Sequence, residues 1–133
     1  MRTSGKSILL ALSLLVAACN APSGIVEEAI DAASRDDRHG YVACFTPRSR
    51  PLLRSLYSVA DAERPELGRL GGAGATISEV RPMSAGETGQ DRALVTVTEG
   101  GRTLPVVVHA EAGAWRIDLM DTERVLTGFG STF

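Results

Sequence analysis

An α+β domain is predicted by three features of this chain. Apolar residues recur at helical spacing between residues 25 and 60. Alternation at period two replaces that spacing after residue 75. Two glycine-bearing turns then set the alternating segments in registers that agree with one another. Helices first and strands afterwards predict helices packed on one apolar face of an antiparallel sheet of about four strands.

The first helix is read over 23–35. Ile25, Val26, Ala29, Ile30 and Ala33 share a face, Ser23 stands as N-cap, and Glu27 and Glu28 lie near the positive end of the helix dipole. "SRDDRHG" (34–40) breaks the pattern, and "YVACF" (41–45) reads as a second, short helix. Thr46-Pro47 is a cap followed by a first-turn proline. Pro51 would remove a hydrogen bond from a helix interior, so a single turn at 47–50 and a fresh helix from Pro51 are expected. Leu52, Leu53, Leu56, Tyr57 and Ala60 form its stripe, and 61–74 is a loop.

Four strands follow at 75–83, 91–99, 102–111 and 114–121. A two-residue turn at Gly100-Gly101 sets Val97 against Leu104, Val95 against Val106 and Ala93 against Val108. A turn at Ala112-Gly113 sets Ala110 against Trp115, Val108 against Ile117 and Val106 against Leu119. Both turns therefore put one continuous apolar set on the same face, and a slip of one residue would destroy the agreement. Pro105 cannot donate to the ladder of a middle strand, so a bulge or an early-ending neighbour is required.

Composition and charge narrow the function. The 133 residues suffice for one domain. The formal charge of -2 becomes -4 without the first 18 residues, which carry Arg2 and Lys6. That is no electrostatic footprint for nucleic acid. Residues 1–18 have a positive start, the apolar run "ILLALSLLV" (8–16) and then Ala17-Ala18, which is the layout of a secretory signal, too short to span a bilayer permanently.

Val16-Ala17-Ala18-Cys19 resembles the lipobox of bacterial lipoproteins. The resemblance implies cleavage between Ala18 and Cys19, a diacylglycerol on the Cys19 thiol and an acyl chain such as palmitate on the new amine. Residues 19–24 would then be a tether to the membrane, stable because two or more chains anchor where one is marginal. In the family's sorting rule, Asn20 rather than aspartate after the cysteine favours the outer membrane, facing the periplasm, over the inner membrane. Lipid on Cys19 leaves Cys44 without a disulfide partner, and its apolar neighbours predict a buried, inert thiol.

"IVEEAIDAASRDDRHGYVACFTPRSRPLL" (25–53) and "GAWRIDLMD" (113–121) together resemble the nuclear transport factor two-like superfamily, with its SnoaL-like and ketosteroid-isomerase-like members. The resemblance implies a domain over 25–121, with a curved sheet wrapped on helices into a cone around a pocket. It leaves 122–133, with Phe129 and Phe133, as a C-terminal tail. Tyr41, Tyr57, Val95, Val106 and Trp115 are the candidate pocket lining.

The expected inner face holds no titratable group, which argues against acid–base catalysis inside the cone. Arg92, His109, Arg116 and Asp118 fall on the opposite face, read as solvated. Arg48, Arg50 and Arg54 read as an exposed helix start. No catalytic set, metal site or cofactor site is expected. The leading reading is a lipid-anchored, non-catalytic envelope domain that binds a small apolar ligand or an envelope protein. The other readings are an isomerase or hydrolase of the ketosteroid-isomerase-like kind and a structural stabiliser of an envelope complex. A homodimer through the sheet would use Leu94, Thr96, Val107 and Met120.

Overall fold

A computed structural model describes residues 21–63 and 74–130. The expected signal segment, with Ala18 and Cys19, and Phe133 lie outside the described residues. Helix α1 (Pro22–Ser34) starts from Ala21, whose extended backbone makes no side-chain cap. Ser23, expected as the cap, is instead inside the first turn, because Pro22 already has the helical φ and lacks the N–H a cap would satisfy. Ile25, Val26, Ala29 and Ala32 are its buried face.

Asp36, in the left-handed region at φ 58°, turns the chain into helix α2 (Arg38–Ala43). This helix starts three residues before the expected 41–45 because the Asp37 carboxylate accepts from the Gly40 N–H at 3.0 Å and caps it. The chain then runs along the free edge of the last strand. The Ile117 N–H donates to the Cys44 carbonyl at 2.9 Å, and the Thr46 N–H donates to the Ile117 carbonyl at 2.8 Å. One turn later helix α3 (Arg50–Glu63) begins, with Pro51 in its first turn.

The four strands are β1 (Thr76–Met83), β2 (Arg92–Glu99), β3 (Arg102–Glu111) and β4 (Ala114–Ile117), antiparallel and in sequence order. The registers read from the two turns hold at Val97–Leu104, Val95–Val106, Ala93–Val108, Ala110–Trp115 and Val108–Ile117. Gly100 and Gly101 both have positive φ, as the tight hairpin requires. Ala112 adopts φ 50° in the second turn, a conformation that costs an L-residue about 1 kcal/mol.

The expected strand 114–121 is corrected: β4 stops at Ile117, Asp118 leaves the sheet, and the Val106–Leu119 pair does not form. Helix α4 (Leu119–Gly130) follows, where 122–133 was expected to be a tail. Its first turn stands in for the missing part of β4. The Asp118 N–H donates to the Val107 carbonyl at 2.9 Å, and the Val107 N–H donates to the Thr122 hydroxyl at 3.0 Å. Strand parity points Pro105 to this same side, past the end of β4, where no ladder bond is asked of it.

The two middle strands, β2 and β3, are buried on both faces, while β1 is mostly exposed. One face carries Ala93, Val95, Val97, Val106, Val108 and Ile117 against Ile25, Val26, Ala29, Tyr41, Leu53 and Tyr57 from the helices and Phe45 from the segment between α2 and α3. Fully burying each of those valines and Ile117 contributes about 1.5–3 kcal/mol. The other face carries Leu94, Val107 and His109, all buried, and α4 packs on β3 there. Leu94 and Val107, two of the residues named for pairing between copies, are thus inside the protomer, while Met120 is exposed on α4. No helix among the described residues is long and apolar enough to cross a membrane.

Candidate functional site

Two sequence motifs far apart in the chain meet at the start of α4. Thr46 opens the turn before α3, and Asp118 follows directly on β4 in Trp115-x-Ile117-Asp118. The Thr46 hydroxyl donates to Asp118 Oδ1 at 2.8 Å, and Ser49 Oγ lies 3.3 Å from the same oxygen. Ser49 Oγ also accepts from the Leu119 N–H at 3.0 Å, while Asp118 Oδ2 accepts from the Asp121 N–H at 2.9 Å. Those two N–H groups belong to the first turn of α4, which has no intrahelical acceptor for them. Arg48 completes the arrangement as a fork, with Nε on Asp118 Oδ1 at 2.8 Å and Nη2 on Oδ2 at 2.7 Å.

Asp118 is fully buried. Burial alone would raise its pKa. The bonds from Arg48, the Asp121 N–H and Thr46 outweigh it and hold the carboxyl down at about 2. The same contact pushes the Arg48 guanidinium further above its ordinary value.

Asp121, one turn into the helix, is the second node. Its Oδ2 lies 2.6 Å from His109 Nε2 and 3.2 Å from Arg92 Nη1. Its Oδ1 lies 3.3 Å from Arg124 Nη1 and 3.6 Å from Arg48 Nη2. The state of His109 follows from its neighbours. The Thr88 N–H donates to Gln90 Oε1 at 3.1 Å, and the Thr88 hydroxyl donates to the same oxygen. The Gln90 amide nitrogen therefore faces His109 Nδ1, 3.3 Å away, and an amide nitrogen only donates. Nδ1 accepts, so the network assigns the ring proton to Nε2, which donates to Asp121. Gly86 gives the Gln90 amide its room, since a Cβ there would stand 2.5 Å from Gln90 Nε2.

The expectation that Arg92, His109, Arg116 and Asp118 form a solvated face is corrected. Arg92, His109 and Arg116 do lie in line across three strands, as the register requires. But His109 is 1% exposed and Asp118 0%, because the start of α4 covers this face. Between α4, the 85–90 loop and the sheet lies a cavity of about 320 Å³, lined by Arg48, Gln90, Arg92, His109, Asp121 and Arg124 among others.

His109, Asp118 and Asp121 each offer one ligand atom, all within 4.8 Å of one another. This donor set does not fit a cation. Both carboxylates already accept from guanidiniums, and a metal ion there would face Arg48 and Arg92 directly.

Tyr41 and Tyr57 meet edge to face at 6.2 Å between centroids, beside a hollow of only about 10 Å³. Tyr57 also lines a shallower depression of about 400 Å³ with Arg38, His39, Val42, Arg54 and Ser58. Val95 and Val106 face each other, fully buried, and Trp115 is half-buried opposite Ala110; none of the three lines these spaces. Cys44 is buried, its thiol donating to the Gly40 carbonyl at 3.3 Å, and burial with nearby Glu28 pushes its pKa up to about 11. The three arginines read as one exposed helix start separate. Arg48 clamps Asp118, Arg50 donates to the Phe45 and Ala43 carbonyls, and Arg54 lines the shallow depression.

Sequence reasoning missed Asp121, Arg124 and Gln90. The available signal was Asp118 followed three residues later by Asp121, an N-cap pattern ahead of Val125 and Leu126. No protein-family model, curated protein or solved structure matches this chain.

Proposed function

We propose that this chain is a lipid-anchored protein of the bacterial cell envelope whose domain binds a small polar ligand in the α4 cavity without transforming it. The observation that carries the binding reading is that cavity, about 320 Å³ lined by arginines that buried carboxylates hold in place. The apolar interior supports a ligand less well: Val95 and Val106 are fully packed, and the hollow by Tyr41 and Tyr57 holds no more than about one water.

Two features favour binding over the ketosteroid-isomerase-like reading. The buried part of the sheet face packed on α1 to α3 is Ala93, Val95, Val97, Val106, Val108 and Ile117; the one carboxylate of β2 that shares its parity, Glu99, stands at the hairpin end. On the other face both ring nitrogens of His109 are engaged, so a base would first have to break a bond to Asp121 or Gln90.

The tether rests on Val16-Ala17-Ala18-Cys19. Helices ahead of an antiparallel sheet support a nuclear transport factor two-like domain. Domain and anchor would then be separated by Asn20 and Ala21, at most about 10 Å of chain to the start of α1. Cys19→Ala tests the tether. The parent protein is expected in the membrane pellet and in the detergent extract, and the variant in the soluble fraction. A variant that still sediments with membranes would overturn the lipid anchor.

A further inference from the structure

We infer that the α4 cavity is built for a small organic carboxylate, an inference that rests on the binding reading above and names its ligand class. Three guanidiniums, those of Arg48, Arg92 and Arg124, converge on the single carboxylate of Asp121. Asp118 supplies the second buried negative charge, through its fork with Arg48. Three positive charges against two negative leave one in excess. The remaining acid of the lining, Glu87, stands at the rim with its side chain 80% exposed, 3.4 Å from Arg124, where water screens it.

The donors are not equally committed. Arg92 spends Nε and Nη2 on Ser84 and the Ala85 carbonyl, and Nη1 on Asp121. Arg48 Nη1 and Arg124 Nη2 have no acceptor among the described residues. Arg48 Nη2 and Arg124 Nη1 both approach Asp121 Oδ1, which places the two guanidiniums in the same corner of the cavity. Two guanidinium edges held by a third group suit a planar anion with two oxygens. A single negative charge matches the excess. A phosphate dianion overshoots it. The volume admits an acid of several carbons. A free organic acid and the C-terminus of a short peptide present the same chemistry.

The test is an amide NMR titration of the full chain in detergent micelles, following Gly86, Thr88 and the Gln90 side chain. Propionate is expected to give saturable shifts there, and neutral propionamide none at the same concentrations. Acetylalanine, run beside propionate, separates the two sources: stronger binding marks a peptide terminus, weaker binding a free acid. Arg124→Gln should lower propionate affinity at least about tenfold, with the urea midpoint unchanged because Arg124 is 61% exposed. Shifts from propionamide alone would overturn the carboxylate class and leave the binding reading standing. Silence from all three probes would overturn both. An Arg124→Gln variant that binds propionate as the parent does would overturn the assignment of this corner.

Discussion

Asp118→Ala is expected to destabilise the domain by roughly 3–4 kcal/mol, a large part of the 5–15 kcal/mol typical of a single domain. The substitution removes the acceptor of Arg48, Thr46 and the Asp121 N–H at once. Arg48, with its side chain 42% exposed, can turn to water, but the helix N-terminus loses its cap. Asp118→Asn, which keeps a cap and loses the ion pair, should cost about half as much. Urea unfolding followed by circular dichroism measures both.

The same carboxylate sets an acid limit. Its folded pKa is about 2, against 3.8 for the free group, so its contribution is present above pH 3.8 and is lost as pH falls toward 2. That lowering corresponds to roughly 2 kcal/mol. The parent protein should therefore lose stability through that window, and Asp118→Asn should lose correspondingly less.

Asp121→Ala is the second large effect, expected at about 3 kcal/mol. Its carboxylate is the common acceptor of His109, Arg92 and Arg124, and His109 is too deeply buried to replace that bond with water. The cost should not add to that of Asp118→Ala, because Arg48 touches both carboxylates. The double variant should fall short of the sum by at least about 0.5 kcal/mol. Strict additivity in a urea-unfolding cycle would contradict the shared network.

The parts of the fold legible in the sequence are those set by local rules. Period-two alternation and positive-φ turns fix a register wherever one face must be apolar, so the pairings from Ala93–Val108 to Val97–Leu104 could be read directly. Pro105 called for a bulge or an early-ending neighbour, and the end of β4 at Ile117 is the second of these. What could not be read was the identity of the outer face. Arg92, His109 and Arg116 look alike whether they meet water or a helix, and polarity alone does not separate those cases. The separation came from Asp118, which parity assigned to a strand although its carboxylate caps a helix. Once Asp118 is a cap, α4 follows, Asp121 turns inward, and the polar face closes into a cavity. Arg48 was harder still, since a 70-residue separation from its partner leaves no pattern in the chain.

The cavity exists only if α4 closes that face around His109, and nitrogen NMR of the His109 imidazole tests the closure most directly. The expected spectrum has a protonated, slowly exchanging Nε2 bonded to Asp121 and an unprotonated Nδ1 accepting from Gln90. A ring protonated on Nδ1, or an Nε2 proton exchanging as fast as in a free imidazole, would mean an open face, and with it no built cavity.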